Sequence, residues 1–438
     1  MPFDTSAIAV FGIATVFRTA IPLLVPSLQP VLDGRVEITT PVSSFKRLQE
    51  GLFLYSSSSI SATGSSIYES GVCHHSPLLV AFFSLIKEHG LPLHLPFTIA
   101  DIVGALCLYA IASTLQARSQ KQAAETSKEK SEQLPPPSAF SPAAVAAVYL
   151  FNPFSLLASF AHSTNVLTNT LVLAAIASGL VVRRPLIAML FLALASVLSI
   201  YPLCFLPALA AVSLEPLAVR NVPTPISNGS RLASIKAWAL LITFFLAYAG
   251  LFLYMSYVVA GYSWSFVEST YYTVLMLKDL TPNMGLWWYF FVEMFTFFRP
   301  FFLCVFQLFA TSFAIPITIR FYTYPLFALT IVSGTLALLK PYPEVTDLGF
   351  YLSLLTLFKP VFVLLRFRQA VALAFLYSSA LAPTFYHLWI YLGSGNSNFF
   401  YAITLVYALG LSLSLTDTIW VGIRLLYDGG KNPRVTQI

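Results

Sequence analysis

Long apolar segments separated by short polar ones make up most of the chain. A helix that crosses a bilayer needs about 20 mostly apolar residues, and the segment 7–28 is the first run of that kind. Each such run predicts one membrane-crossing helix. Comparable runs follow at 95–115, 143–161, 166–182, 237–259, 325–339, 348–365, 370–390 and 399–423.

Two further apolar segments contain a break. The segment 186–214 is too long for one ordinary crossing, and Pro202, which has no backbone donor, interrupts it after Tyr201. The segment 286–320 is interrupted in the same way near Arg299 and Pro300. The first predicts two short helices and the second a short piece followed by a span. The whole pattern therefore predicts an all-α polytopic membrane protein with about 12 transmembrane helices.

Mixed or polar segments connect these spans within a single transmembrane domain, residues 1–438. The segment 29–94 carries scattered charges and two short helix-like stretches, at 42–54 and 76–87. Both are too short to cross comfortably, so we expect amphipathic helices that lie along the membrane face. The other connections are a low-complexity, flexible loop at 116–142, a polar stretch at 215–236, an aromatic-rich segment with the broken helix at 261–299, and a Gly/Ser/Asn turn at 391–398.

Composition narrows the class of protein further. Hydrophobic residues make up 57% of the chain and charged residues 10%, whereas a soluble domain carries about 25% charged residues. So few charges cannot cover a water-facing surface, which excludes a soluble enzyme, a nucleic-acid binder and a disordered chain. The four cysteines share no spacing typical of a disulfide framework or a metal site, and we expect no metal and no cofactor. The first apolar run lacks a basic leader and a cleavage site, so we expect it to be retained as a span.

The positions of Lys and Arg predict the orientation in the membrane. If the N-terminus is cytosolic, sixteen of the 24 Lys and Arg residues face the cytosol and six face the other side. Positive residues concentrate on the cytosolic side of membrane proteins, so both termini and the loop 116–142 are predicted to be cytosolic. The segments 29–94 and 261–299 are then non-cytosolic. The sequon at Asn228 falls in the cytosol, where we expect it to stay unused.

Acidic residues give no sign of a catalytic pair. No two acids are adjacent, and Asp33 and Glu37 stand apart at the end of the first span. An enzyme that transfers a sugar from a phosphate-linked lipid donor would need carboxylates at the membrane face, which act as a base or as metal ligands. We expect Asp33 and Glu37 to be solvated loop charges, and no catalytic residue is predicted.

Five ionisable residues lie at membrane depth, where such groups are candidates for function. For Arg18, Asp101 and Asp417 we expect pairing across helices that holds the bundle together. Glu293 and Arg299 lie six residues apart in the broken segment. For these two, a structural role and a ligand contact are equally good interpretations.

The final non-cytosolic turn contains Asn396, Ser397 and Asn398, followed by Phe399 and Phe400. Amide side chains can donate to and accept from sugar hydroxyls and can donate to phosphate oxygens. The same residues also form ordinary tight turns in which Asn caps the next helix. On the pattern alone the capping interpretation is favoured.

Four stretches carry a family resemblance. The most distinctive is 279–295, DLTPNMGLWWYFFVEMF, and the others are 35–52, 152–170 and 387–404. They resemble, in the same order, the phosphatidylinositol-glycan class U (PIG-U) family, and the likeness extends from about residue 7 to about residue 425. The loop 116–142 is the main departure.

The resemblance implies a fold and a function. PIG-U proteins resemble the dolichol-phosphate-mannose-dependent mannosyltransferases of the endoplasmic reticulum, which implies a C-type glycosyltransferase-like (GT-C-like) helical bundle with luminal amphipathic helices. The implied role is a non-catalytic membrane subunit of the glycosylphosphatidylinositol (GPI) transamidase. The implied partners are a caspase-like catalytic subunit, the remaining membrane and luminal subunits, the GPI lipid and membrane phospholipids, with no nucleic acid.

The resemblance also implies site residues. It places Asn396, Ser397, Asn398, Phe399 and Phe400 at a luminal motif for the GPI lipid. Weaker candidates for ligand or subunit contact are Asp279, Asn283, Trp287, Glu293 and Arg299.

Two rival functions stay open at this point. One is a mannosyltransferase of GPI assembly that uses dolichol-phosphate-mannose, which would need the missing acid pair. The other is a transporter, which would show paired inverted repeats.

The predicted orientation can be tested directly. A glycosylation tag inserted in the loop 116–142 should stay unmodified, because that loop faces the cytosol. The same tag near Glu69 should be modified. Gel mobility before and after glycosidase treatment reads out both insertions, and the reverse pattern would invert the topology.

Overall fold

The computed structural model describes residues 4–58, 66–69, 71–126, 140–214 and 228–428. Within these ranges the chain forms 22 α-helices, one 3-10 helix and two π-helical segments, with no β-strand. The predicted all-α class is thereby confirmed for the described residues. Part of the predicted flexible loop, 127–139, and part of the predicted polar stretch, 215–227, lie outside them.

Eleven helices belong to the first half of the chain. They are α1 (Thr5–Leu24), α2 (Leu28–Asp33), α3 (Phe45–Ser58), α4 (Ser66–Glu69), α5 (Pro77–Glu88), α6 (Leu95–Thr126), α7 (Pro142–Phe151), α8 (Pro153–Ala161), α9 (Asn165–Leu180), α10 (Pro185–Leu198) and α11 (Leu206–Leu214). A 3-10 helix, Tyr201–Phe205, leads from α10 to α11.

The second half contributes the other eleven. They are α12 (Asn228–Val259), α13 (Ser265–Val267), α14 (Thr273–Met276), α15 (Trp287–Glu293), α16 (Arg299–Ser312), α17 (Ala314–Arg320), α18 (Pro325–Leu339), α19 (Val345–Leu355), α20 (Lys359–Leu364), α21 (Arg368–Tyr386) and α22 (Ser397–Asp428). The π-helical segments are Glu268–Tyr272 and His387–Tyr391.

Six helical stretches among the described residues are long and apolar enough to cross a bilayer, so the protein is a multi-pass membrane protein. Further apolar helices are either bent or shorter, at 10–17 residues. The six long stretches are Thr5–Leu24, Leu95–Lys121, Ile235–Val259, Arg299–Arg320, Arg368–Tyr391 and Ser397–Tyr427.

The predicted span 143–161 is bent in the middle rather than being one continuous helix. The helices α7 and α8 meet at an angle of 51°. The Asn152 side chain accepts a hydrogen bond from the Phe154 amide at 3.1 Å and starts a new helix, while Pro153 cannot continue the old one. The local capping chemistry therefore overrides the continuous apolar run.

Other boundaries also differ from the sequence pattern. The predicted span 348–365 is divided into α19 and α20. Helix α6 continues to Thr126, eleven residues into the predicted flexible loop, and α12 already begins at Asn228 in the predicted polar stretch. Helix α6 extends beyond its apolar run because the Gln, Arg, Lys and Ala residues that follow are good helix formers. The breaks expected near Pro202 and Pro300 are both present.

Small residues allow the helices to pack closely. A β-carbon on Gly422 in α22 would stand 2.3 Å from the Phe327 ring of α18, and one on Gly334 would stand 2.9 Å from the Tyr351 ring of α19. Close approach through small residues is the usual way in which membrane helices associate. The main core lies largely among α6–α11, α18, α19 and α22.

A buried ion pair joins α1 to α6. The Arg18 Nε lies 2.9 Å from an Asp101 carboxylate oxygen, and both side chains are fully buried. Arg18 also donates to the Leu150 carbonyl of α7 at 2.7 Å, and the Tyr149 hydroxyl donates to Asp101 at 3.4 Å. The expectation that these charges pair across helices is confirmed.

Asp417 of α22 serves the bundle in a related way. One carboxylate oxygen accepts hydrogen bonds from the backbone amides of Arg366 and Phe367, at 2.7 Å and 3.0 Å, just before α21 begins. A structural role for Asp417 was expected, and its contacts join α22 to the start of α21.

Removing half of the ion pair should destabilise the protein more than removing all of it. Asp101→Leu leaves the Arg18 charge buried without its carboxylate, which costs about 3–5 kcal/mol. The double variant Arg18→Met/Asp101→Leu should recover most of that loss. Thermal unfolding of the purified full chain in detergent measures both, and equal melting temperatures for the single and double variants would contradict the expectation.

Candidate functional site

The Gly/Ser/Asn turn has a backbone fixed by hydrogen bonds. The amides of Ser394 and Gly395 both donate to the Leu388 carbonyl, at 3.0 Å and 3.1 Å. Gly393 has a φ of 63°, which favours glycine. A β-carbon on Gly395 would stand 3.2 Å from the Trp389 backbone nitrogen. The turn is therefore a tight connection between the π-helical segment 387–391 and α22.

Asn396 caps α22. Its Oδ1 accepts hydrogen bonds from the backbone amides of Asn398, at 3.0 Å, and Phe399, at 3.3 Å. These are two of the amides that a helix N-terminus leaves without intrahelical partners. The capping interpretation is thus confirmed for the oxygen of Asn396. The residue is exposed, and its amide NH₂ is the group with donor capacity toward a ligand.

Asn398 lies two residues further along the chain and is held by the aromatic-rich segment. The Tyr289 hydroxyl donates a hydrogen bond to Asn398 Oδ1. The Tyr289 ring stacks on Tyr401 with centroids 4.4 Å apart, and the Tyr401 hydroxyl donates to the Leu286 carbonyl at 3.3 Å. The fold therefore brings together two motifs that stand more than a hundred residues apart in the sequence.

A cluster of rings forms the base of this site. Phe400 is fully buried, with its centroid 5.4 Å from Tyr386 and 5.9 Å from Trp288. Trp288 stacks on Trp389 at 6.1 Å. The resemblance places Phe400 in the lipid motif, but its side chain is buried and packs beneath the turn.

Phe399 and Ser397 complete the predicted set. Phe399 is 54% exposed and is the ring of this pair that faces outward. Ser397 is half-buried and is the first residue of α22. The exposed surface of the site thus consists of Asn396, Asn398 and Phe399.

Asp279 and Asn283 fix the loop that leads into α15. Asp279 accepts a hydrogen bond from the Arg47 guanidinium at 2.7 Å, and its carbonyl accepts one from the Tyr342 hydroxyl at 2.6 Å. Asn283 is fully buried, donates to the Pro341 carbonyl at 3.3 Å and accepts from the Gly285 amide at 2.7 Å. Both side chains position the aromatic-rich segment.

The three remaining candidates are dispersed. Trp287 is buried in a small core, 5.0 Å from the Phe306 ring, and cannot meet a ligand from that position. Arg299 donates to the Leu277 carbonyl at 2.6 Å, where the backbone has a left-handed φ of 46°. Glu293 is exposed at the end of α15.

Sequence reasoning missed a buried acid, Glu344, at the end of the bundle. Its carboxylate accepts hydrogen bonds from Thr40 at 3.0 Å, from Ser163 at 2.8 Å and from Ser43. All three of these partners lie in the stretches that carry the family resemblance, but Glu344 does not. No spacing in the sequence could have indicated their contact.

A small polar cavity lies beside Glu344. Its volume is about 50 Å³, and Ser43, Asn165 and Lys340 contribute to its lining. A cavity of this size holds a few water molecules. Lys340 forms an ion pair with Asp347 at 2.7 Å, and Asn165 donates to the same carboxylate at 3.0 Å, so the charged groups here are already paired.

The expectation that Asp33 and Glu37 are solvated is wrong. Both are buried, and Asp33 accepts hydrogen bonds from the amides of Phe45, at 2.9 Å, and Lys46, at 2.7 Å, at the start of α3. Burial raises the pKa of both carboxyl groups, and those amide hydrogen bonds act in the opposite direction on Asp33. Asp33 therefore orders the first turn of α3.

Comparison with known proteins gives one consistent result. The family model described as GPI transamidase subunit PIG-U matches residues 12–407. The GPI transamidase component GAB1 of Saccharomyces cerevisiae is 35% identical over 428 residues, which cover 98% of this chain and 97% of that protein. The GPI-anchor transamidase component PIGU of Homo sapiens is 32% identical, with 96% and 94% covered, and the GAB1 homolog of Schizosaccharomyces pombe is 33% identical, with 88% and 86% covered.

Glu344 should make stability depend on pH. Burial raises its pKa from the usual 4.5 to about 7, Lys340 lowers it and Asp347 raises it. Because the folded state binds the proton more tightly, this stabilisation is complete below about pH 4.5 and is lost as the pH rises through about 7. Glu344→Gln stays neutral, so its melting temperature relative to the unchanged protein should rise between about pH 5 and about pH 8.

Melting curves of the full chain in buffered detergent measure this difference. The matched control is Glu293→Gln, which makes the same change at an exposed residue and leaves the Glu344 carboxyl in place. Parallel profiles for Glu344→Gln and the unchanged protein would show that the buried carboxyl does not titrate in this window.

Proposed function

Because the chain belongs to the PIG-U family of GPI transamidase subunits, we propose that it is a non-catalytic membrane subunit of that complex. In this role it binds the GPI lipid and presents it for attachment to the C-terminus of proproteins in the lumen of the endoplasmic reticulum. The partners are a caspase-like catalytic subunit and the remaining membrane and luminal subunits. The relatives named as transamidase components support the subunit role.

One observation carries the proposed lipid contact. Two exposed amide side chains, Asn396 and Asn398, lie at the N-terminus of α22, above a base of packed rings. A helix N-terminus favours negative charge, and amide NH₂ groups donate to phosphate oxygens. The exposed Phe399 beside them offers an apolar surface to the lipid chains. Together these groups suit a phosphate-bearing lipid head group at a membrane surface.

The non-catalytic part of the proposal has its own support. Two buried acids at the same end of the bundle are engaged, Asp33 with the start of α3 and Glu344 with three hydroxyl groups. The cavity beside Glu344, at about 50 Å³, is too small for a sugar ring with its donor phosphate. These observations weigh against the mannosyltransferase alternative.

Topology and subunit contacts complete the proposal. We infer about 12 membrane crossings in a GT-C-like bundle, with both termini in the cytosol. In this count the bent helix pair and the short apolar helices also cross the membrane, because the bilayer can thin locally around a short span. We also propose a contact with another subunit at Phe295 and Phe297, close to Glu293. These two side chains are 80% and 85% exposed.

Variants of Asn396 separate lipid binding from capping. Asn396→Asp keeps an excellent cap and adds a charge that the helix N-terminus favours, but it repels a phosphate. We expect normal complex yield with accumulation of unprocessed GPI precursor proteins. Asn396→Ser also keeps a cap and removes only the amide, so its attachment defect should be milder. Normal attachment in Asn396→Asp would remove the lipid contact from the proposal.

Asn398→Ala tests the second amide. Losing one hydrogen bond to a charged phosphate costs about 1.5–3 kcal/mol of binding free energy. This corresponds to a roughly ten- to hundredfold lower affinity for the lipid. The matched control is Tyr289→Phe, which keeps the ring stacked on Tyr401 and removes only the hydroxyl that donates to Asn398. Complex yield and GPI attachment are measured side by side. A loss of yield equal to the loss of attachment would indicate a structural role alone.

A further inference from the structure

Arg47, in the first turn of α3, joins separate segments of the chain. Its Nη2 donates to the Asp279 carboxylate at 2.7 Å, and its Nη1 lies 3.2 Å from the His74 Nε2. The His74 Nδ1 donates to the Ser269 carbonyl at 2.8 Å, which leaves Nε2 as an acceptor for Arg47. Burial lowers the pKa of His74 and so favours this neutral ring. The guanidinium is thus held by two partners, and it fixes the position of Asp279.

The connecting segment 278–286, between α14 and α15, forms neither helix nor strand, so side-chain contacts decide its path. It follows directly on Leu277, whose φ of 46° is a left-handed conformation that is unfavourable for a bulky residue. Such a conformation persists only where the surrounding structure holds it. Arg299 donates to the Leu277 carbonyl at 2.6 Å, and Arg47 holds Asp279 two residues later. Two arginines therefore hold the start of the segment.

The other end of the connecting segment lies against the Asn turn. The Leu286 carbonyl accepts a hydrogen bond from the Tyr401 hydroxyl at 3.3 Å. Three residues later, Tyr289 stacks on Tyr401 and donates to Asn398. Between the two ends, the buried Asn283 is hydrogen-bonded to the rest of the bundle. A short segment held by so few contacts shifts when one of them is lost, and the shift reaches the ring beside Asn398.

We propose that Arg47 is a positioning residue for the candidate lipid site. Through Asp279 and the connecting segment it holds the Tyr289 ring against the start of α22, where that ring orients Asn398. The role rests on the proposed lipid contact of Asn398, and Arg47 acts on the lipid only through these other residues. Its loss leaves the Asp279 carboxylate and the buried His74 Nε2 without their donor, so the segment is held less firmly.

Variants of two adjacent residues test the proposal. Arg47→Gln removes the guanidinium, and the control Lys46→Gln removes a charge from a neighbouring exposed side chain. GPI attachment is measured per amount of assembled complex, purified through this subunit. Arg47→Gln should lower attachment roughly tenfold, and Lys46→Gln should not. The exchanged pair Arg47→Asp with Asp279→Arg should restore part of the attachment that each single variant loses.

A double-mutant cycle asks whether Arg47 acts through Asn398. If it does, adding Arg47→Gln to Asn398→Ala should lower attachment no further than Asn398→Ala alone. A loss in the double variant equal to the product of the two single losses would overturn the proposal. So would equal attachment in Arg47→Gln and Lys46→Gln.

Hydrogen exchange separates this inference from the proposed lipid contact. The amides of Ser394 and Gly395 are bonded within the turn, and a peptide covering 387–401 reports their exchange. Arg47→Gln should raise its exchange rate several-fold relative to Lys46→Gln, in lipid-free protein as well. Unchanged exchange would overturn the role of Arg47. Faster exchange, together with normal attachment in Asn398→Ala, would overturn the lipid contact and leave the positioning of the turn by Arg47 in place.

Discussion

A buried polar side chain in a membrane protein is costly unless it has a hydrogen-bond partner, and several buried polar side chains of this bundle find theirs in distant parts of the chain. This constraint explains the contacts that join distant parts of the chain. Arg18 and Asp101 join the first span to α6 and α7, Glu344 receives hydroxyl groups from two separate segments, and Asp417 connects α22 to the start of α21. Apolar packing brings the helices together, and these polar contacts determine which helices are neighbours.

Hydrogen bonds also fix the candidate lipid site, although its two amide side chains are exposed. Asn396 satisfies the amides at the start of α22, and Tyr289 holds Asn398, so neither side chain is free to rotate away from the surface. Rings from three segments fill the space beneath them. A preorganised site of this kind loses little conformational entropy when a ligand binds. Capping and ligand binding are therefore compatible roles of the same residue, because they use different atoms of its amide.

Particular residues show how far the sequence alone could lead. Hydropathy located the apolar segments, and the breaks near Pro202 and Pro300 followed from a missing backbone donor. The bend at Asn152 was missed, although a capping Asn before Pro was visible, because mostly apolar residues continue on both sides of this pair. Phe399 and Phe400 are neighbours of identical type, yet one is exposed and the other fully buried. Asp33 looked like a loop charge and is an ordered, buried cap.

The sequence by itself determined the class of protein, the approximate positions of its spans and its family. These depend on properties that add up along the chain: the transfer free energy of each apolar segment and the order of recognisable motifs. Only the tertiary structure decided which polar groups meet and which rings are buried. Burial and pairing depend on residues far apart in the sequence, such as Ser163 and Glu344 or Tyr289 and Asn398, and no local pattern records such distances.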